Sequence, residues 1–192
     1  MKVKVIITRG KIIVLTFFLL AILLLITLYP YIPFPIYSVN YMGVKMRFRV
    51  NLRDVKDVVV YPSEETIRKE IMNQLVENIT IVFKPGENQT NAHYAIEVFE
   101  IVNKLAIAYK LNFAYMPNFK VVNVTSYENL RGRRENPIIA LVHPVFSNET
   151  SVKLEDHVVY IQGRNATSLR EQLKNFDLAV VKFLMSILEI KV

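Results

Sequence analysis

The sequence predicts an α/β (α+β) protein, with an N-terminal transmembrane helix and one mixed-sheet domain that carries about three packed helices. Three observations predict this class. Residues 12–29 carry no charge, strand and helix periodicities alternate from about residue 41 onward, and the chain has no internal repeat. The predicted organisation is a basic cytoplasmic N-terminus (1–11), a transmembrane helix (12–29), a Pro/Tyr-rich interfacial linker (30–40) and an extracytoplasmic domain (41–192).

The membrane segment is predicted from its length and its apolar content. From Ile12 to Tyr29 there are 18 residues, of which 14 are Ile, Val, Leu or Phe. A helix of that length spans about 27 Å, which is most of a hydrocarbon core. Pro30 then ends or kinks the helix, and aromatic residues follow at the outer interface. The residues expected to anchor the helix are Ile12, Phe17, Leu20, Leu24 and Leu28.

The orientation follows from the placement of the cations. Four Lys or Arg residues precede the apolar run, whereas the first charge after it is Lys45. Basic flanks stay in the cytoplasm, so the C-terminal domain is predicted to lie outside the cell. Two alternatives stay open at this stage. One is a cleaved signal peptide, and the other is pilin-like processing after Gly10, because Arg9-Gly10 directly precedes the apolar run.

The charge and composition exclude several classes of function. The net charge is +7, but removing the four N-terminal cations leaves 20 basic and 17 acidic residues. The basic excess is therefore a topology signal, and no nucleic-acid partner is predicted. The chain has no cysteine, which excludes thiol chemistry and disulfides. No cofactor is predicted, because no phosphate-binding glycine loop is present.

Sites for N-linked glycans are over-represented. With 15 Asn and 16 Ser or Thr in 192 residues, random placement gives about 1.3 Asn-x-Ser/Thr triplets, yet five occur. All five lie on the predicted outer side, so N-linked glycans are expected partners of the chain. Turn-like surroundings favour Asn88, Asn148 and Asn165, while strand-like neighbours disfavour Asn123. The five acceptors are Asn78, Asn88, Asn123, Asn148 and Asn165.

The first half of the outer domain alternates strands with a helix. Val44 to Asn51 alternates apolar and basic side chains, which predicts a half-exposed strand, and Asp57 to Tyr61 predicts a shorter one. Ser63 is suited to cap a helix that starts after Pro62, with acidic residues in its first turn. Ile79 to Phe83 predicts a third strand.

The second half begins with a long helix. Asn91 to Leu111 has apolar residues at helical spacing, and the segment Phe113 to Val124 is predicted to be extended. Pro137 to Pro144 and His157 to Gln162 predict two strands that are joined by a polar loop.

The last helix is predicted to open at Ser168, which forms a capping box with Glu171, and to run to about Ile190. It is apolar on most faces, which fits either a central core helix or a surface for another subunit. A dense group of arginines between two strands is either a solvated loop or a contact for anionic partners. Together these segments give the candidate partner surface, namely Arg131, Arg133, Arg134, Phe183, Leu184 and Leu188.

No catalytic or metal motif is found in the sequence, so the protein is predicted not to be an enzyme. The three histidines are His93, His143 and His157, and no two of them share a helical turn. An acid/base or metal site built from His143, Asp156 and His157 is the enzyme alternative, provided that the two late strands bring these residues together.

Three stretches of the outer domain resemble archaeal single-pass membrane proteins of unknown function. They are Met42–Arg49, Val60–Arg68 and Phe176–Leu184. The resemblance implies an archaeal origin and a membrane anchor, and it implies no activity and no functional residue.

These observations lead to one expectation about function. We expect an accessory or structural protein of the archaeal cell envelope or of a membrane-protein complex. It would be held in the lipid bilayer by its N-terminal helix and would present a glycosylated domain that binds other proteins. An envelope enzyme and a pilin-like surface subunit are the alternatives.

Overall fold

The computed structural model describes residues 37–86 and 88–191, all of which belong to one compact unit, Pro35–Val192. The predicted membrane helix and its five anchor residues lie outside the described residues, as do the N-terminus and most of the linker. Within the described part of the chain, no helix is both long and apolar enough to cross a membrane.

The unit is an α+β domain with a mixed sheet and three α-helices, as predicted. Its strands and helices, in chain order, are β1 (Tyr37–Tyr41), β2 (Val44–Phe48), β3 (Val59–Tyr61), α1 (Glu64–Ile71), β4 (Asn78–Phe83), α2 (Asn88–Phe113), β5 (Asn118–Asn123), β6 (Ile138–Val142), β7 (Ser151–Glu155), β8 (Val158–Gln162) and α3 (Leu169–Leu188).

Two strands of the structure were not predicted from the sequence. Residues 37–40 fall in the predicted linker, but they form most of β1, which pairs with β2 as an antiparallel hairpin. The turn between these strands puts Met42 and Gly43 at positive φ, and glycine adopts such a conformation without strain. Strand β7 lies in the predicted polar loop between β6 and β8.

Strands β3 to β8 form one six-stranded sheet in the order β3-β7-β8-β6-β4-β5. All neighbours are parallel except the hairpin of β7 and β8. Asp156 and His157 both have positive φ in the two-residue turn of that hairpin. The outermost strands are therefore β3 at one end of the sheet and β5 at the other.

The main core lies between one face of the sheet and the helices. Ile139 and Leu141 of β6 point into it, whereas Ala140 points to the opposite face, because side chains alternate along a strand. Helix α3 packs against β7 and β8 and also contacts α1 and α2. The opposite face is covered by the loop after β5, through Tyr127 and its neighbours.

Helix boundaries follow local capping. The Ser63 hydroxyl accepts a hydrogen bond from the Thr66 N–H at 3.1 Å, and Ser168 does the same for Glu171 at 3.3 Å. Both predicted N-caps are therefore confirmed. Gly163 lets the end of β8 approach α3, because a Cβ at this position would lie 2.7 Å from the Cα of Phe176.

Candidate functional site

The strongest group of polar side chains lies between α2 and α3. Its members are Arg49, which directly follows β2, His93 and Glu97 of α2, and Asp177 of α3. We refer to these four residues as the α2–α3 cluster. His93 and Glu97 are four residues apart, so they share one helix face one turn apart. Phe176 and Ala179, one residue before and two residues after Asp177 on α3, are buried, and their packing holds this part of the helix in place.

The distances within the cluster are short. His93 Nε2 lies 2.6 Å from Asp177 Oδ1 and 3.9 Å from Glu97 Oε1. Arg49 Nη1 lies 2.9 Å from Glu97 Oε1 and forms an ion pair with it. The oxygen accepts no hydrogen bond of good geometry from the described residues. The exposed fractions of the side chains are 4% for Glu97, 14% for His93 and 18% for Asp177. The cluster is therefore nearly closed to solvent.

Burial dominates the electrostatics of this region. Burial, followed by the nearby Asp177 carboxylate, raises the pKa of Glu97 well above its usual range, and the Arg49 guanidinium opposes this shift. Burial also lowers the pKa of the Lys104 ammonium to about 8. Lys104 lies one turn from Glu100, with which it forms an ion pair.

A small cavity adjoins the cluster. Its volume is about 10 Å³, and its lining includes Arg49, Glu97, Glu100 and Asp177. That volume admits a single water-sized group. Chemically, the cluster offers one imidazole nitrogen and two carboxylate groups whose donor atoms all lie within 4.8 Å of one another.

The sequence prediction missed this cluster. His93 and Glu97 form a His-x-x-x-Glu pattern on a predicted helix, but no second histidine lies near them in the sequence to mark a metal site. Asp177 lies 84 residues away from His93 in the chain, and only the packing of α3 on α2 brings the two together.

The predicted site of His143, Asp156 and His157 is not formed. Strands β6 and β8 do pair, but they are parallel, with Ile138 opposite Val158. His143 follows the end of β6 while His157 precedes the start of β8, so the two lie about 20 Å apart along the strands. His157 instead contacts Glu70, with 2.7 Å between Nδ1 and Oε1.

His143 also forms hydrogen bonds with residues around it. Its Nδ1 accepts a hydrogen bond from the Val145 N–H at 3.1 Å, and its Nε2 lies 3.3 Å from the Thr90 hydroxyl. The hypothesis of an acid/base or metal site shared by His143 and His157 is therefore wrong.

The prediction that apolar residues of the last helix form part of a partner surface is wrong as well. Phe183, Leu184 and Leu188 are buried in the main core, where α3 packs against the sheet and the other helices. The all-round apolar pattern of this helix reflects a central position in the domain, which was the first of the two alternatives.

The arginines Arg131, Arg133 and Arg134 are exposed on the loop between β5 and β6. A hydrogen bond connects this loop to the β7–β8 turn, because the Gly132 N–H donates to the Asp156 carbonyl oxygen at 2.9 Å. A side chain at Gly132 would collide with the backbone of His157. A role of these arginines in partner binding stays a prediction.

The glycan acceptors differ in accessibility. Asn148 and Asn165 are exposed in loops, and Asn123 is exposed as the last residue of β5. Asn78 is half-buried at the start of β4, where its Nδ2 donates to Asn136 Oδ1 at 2.6 Å. Asn88 begins α2. The accessible acceptors therefore include Asn123, which the strand pattern had disfavoured.

The outer edge of β5, which we call the open edge, is a second candidate site. Strand β5 pairs with β4 on one side, and no described strand pairs with its other side. Asn118 and Val124 direct their N–H groups to carbonyls of the β4 segment at 2.9 Å. Because backbone directions alternate, Phe119, Val121 and Asn123 direct their N–H and C=O groups outward.

The side chains of the open edge are also exposed. Val121 and Val122, on opposite faces of the strand, are 49% and 44% exposed. Lys120 carries the only charge of the strand. Natural edge strands usually carry more charge or a bulge that blocks pairing with other chains.

No known protein family, curated protein or solved structure is significantly similar to this chain.

Proposed function

We propose that the protein is a membrane-anchored, N-glycosylated, extracytoplasmic accessory or structural protein of the archaeal cell envelope or of a membrane-protein complex. It acts by binding another protein and not as an enzyme. The apolar run of residues 12–29, the cations ahead of it and the five glycan acceptors behind it support the location.

The observation that carries the binding role is the open edge. An extended segment of a partner can add to β5 as a further strand, with main-chain hydrogen bonds to Phe119, Val121 and Asn123. Such a strand would also cover the exposed side chains of Val121 and Val122. Main-chain pairing supplies affinity, and the side chains at the edge supply selectivity.

Co-purification tests this proposal. The full chain is extracted from native membranes in mild detergent, and a stoichiometric partner is expected to remain bound. Val121→Pro should release that partner, because proline removes the outward N–H donor while remaining tolerated in an edge strand.

The matched control lies at the other end of the same sheet. The Val59 N–H donates inward, to the Thr150 carbonyl oxygen at 3.3 Å, so the N–H of Val60 points outward from β3. Val60→Pro should leave the partner bound. A monomer without a stoichiometric partner would overturn the binding role. Retention of the partner by Val121→Pro would overturn strand addition.

A further inference from the structure

The α2–α3 cluster presents three donor groups from two helices to one point. His93 and Glu97 extend from the same face of α2, and Asp177 extends from α3. The donor atoms of the three residues lie within 4.8 Å of one another. The site is independent of the proposed function, because it lies in the interior and not at the open edge.

Glu97 is the most deeply buried member of the cluster. Its carboxylate is almost completely buried, and its Oε1 receives no hydrogen bond of good geometry from the described residues, although Arg49 approaches it. A buried carboxylate oxygen in that condition is costly. Glu97 and Asp177 also line the water-sized cavity beside the cluster, so there is space for a small ligand next to them.

The charges around the cavity favour a cation. Three carboxylate groups, those of Glu97, Glu100 and Asp177, line the cavity beside one guanidinium group, that of Arg49. Lys104 forms an ion pair with Glu100. A dication bound by Glu97 and Asp177 would offset the repulsion between these two neighbouring carboxylates.

We propose that His93, Glu97 and Asp177 bind one zinc ion, which fixes α2 against α3. An imidazole nitrogen with two carboxylate oxygens is a donor set that suits Zn²⁺, whereas Mg²⁺ and Ca²⁺ prefer oxygen donors alone. Glu97 and Asp177 line the cavity, which has room for a water as a fourth ligand. Arg49, beside Glu97, is the outer neighbour that orients a ligating carboxylate.

The distances fit this assignment after small side-chain rotations. Zinc bonds of roughly 2.0–2.2 Å in a tetrahedron place neighbouring donor atoms about 3.4 Å apart. The separations from His93 Nε2 are 2.6 Å to Asp177 and 3.9 Å to Glu97, so they lie on either side of that value. Zinc would take the place of the direct contact between His93 and Asp177.

Zinc titration of the metal-free protein tests the proposal. Untagged full-length protein in detergent is stripped with a chelator and dialysed, and Zn²⁺ is added in a calorimeter. One equivalent should bind. His93→Gln and Asp177→Asn should each weaken binding by on the order of 100-fold or more, since even an outer-sphere partner is worth about 10–100-fold.

The chain offers a matched control in His157. It forms a His–carboxylate contact of 2.7 Å with Glu70, but that pair does not belong to any three-donor cluster among the described residues. His157→Gln should leave zinc affinity and stoichiometry unchanged. Equal weakening by His157→Gln would overturn the assignment, because it would place the ion elsewhere.

A second readout does not depend on the variants folding. Cobalt(II) bound to the wild-type protein should show the intense visible absorption of a four-coordinate site, and added zinc should remove it. Failure of the wild-type protein to bind zinc or cobalt at millimolar concentration would overturn the proposal. Neither result bears on partner binding at the open edge.

Discussion

The hydroxyl of Tyr109 donates a hydrogen bond to the main-chain carbonyl oxygen of Ile71. Ile71 is the last residue of α1, and its carbonyl group therefore has no partner within that helix. Tyr109 lies on α2, and both residues are buried. This contact joins the C-terminal end of α1 to the C-terminal part of α2 inside the main core.

Tyr109→Phe should lower the free energy of unfolding by about 0.5–1.5 kcal/mol, because it removes one of the two hydrogen bonds that the Ile71 carbonyl oxygen accepts, the other coming from the Asn73 N–H at 3.1 Å. Denaturant unfolding of the outer domain measures the change. Tyr61→Phe is the control, since Tyr61 is exposed, and it should stay within about 0.5 kcal/mol of the wild type. Equal stability of the two variants would show that the Tyr109 contact contributes nothing.

Alkaline pH should destabilise the domain through the same residue. Burial raises the pKa of Tyr109 and the pKa of Tyr94 far above their usual range. The unfolded chain loses these protons near pH 10 while the folded chain keeps them. The stability that they provide is therefore present below about pH 10 and is lost as the pH rises above it. Ultraviolet titration should detect the late-ionising tyrosines, and Tyr109→Phe should flatten the loss of stability.

Gly163→Ala should destabilise the domain by about 1–3 kcal/mol or more, because the added methyl group overlaps the backbone of α3 at Phe176. Gly86→Ala is the matched control. A Cβ at Gly86 meets only the Thr90 side chain, at the ordinary distance of 3.5 Å. Thermal unfolding of both variants makes the comparison, and equal midpoints would contradict the close packing of β8 on α3.

Glycan occupancy should follow accessibility. Asn148 and Asn165 should carry glycans, whereas Asn78 should not, because its Nδ2 is held by Asn136 in a half-buried position. Peptide mapping by mass spectrometry of the protein from its native membrane measures each site. A glycan on Asn78 together with bare Asn148 and Asn165 would contradict this order.

The N-terminal anchor gives the last prediction. Protease added to sealed, right-side-out cells should digest the outer domain. The intact mass after glycan removal should include the segment before Lys11. A mature N-terminus at Lys11 would instead support the pilin-like alternative. Protection of the C-terminal part would overturn the proposed location.

Local signals in the sequence were sufficient for most helices and strands. Ser63 and Ser168 cap their helices as expected, because an N-cap depends only on neighbouring residues. Strand β7 was missed although Val152 and Leu154 alternate with polar residues, because it is short and adjoins a polar turn. Strand β1 was missed because it follows a Pro- and Tyr-rich segment.

The arrangement of these segments depends on long-range contacts. The parallel pairing of β6 with β8 separated His143 from His157, and periodicity alone does not distinguish parallel from antiparallel neighbours. The apolar pattern of α3 was visible, but its burial was decided by contacts with α1, α2 and the sheet. Only part of the α2–α3 cluster could be predicted from the sequence. His93 and Glu97 are four residues apart on one helix, whereas Asp177 lies 84 residues from His93 in the chain.

The attachment of the arginine loop to the β7–β8 turn has a consequence for recognition. Gly132 lies against the backbone of His157 and donates to Asp156, so the segment that displays the three arginines is ordered before any ligand arrives. An acidic molecule that docks there would meet three arginines whose backbone is held against the β7–β8 turn. Little backbone entropy would then be lost on contact.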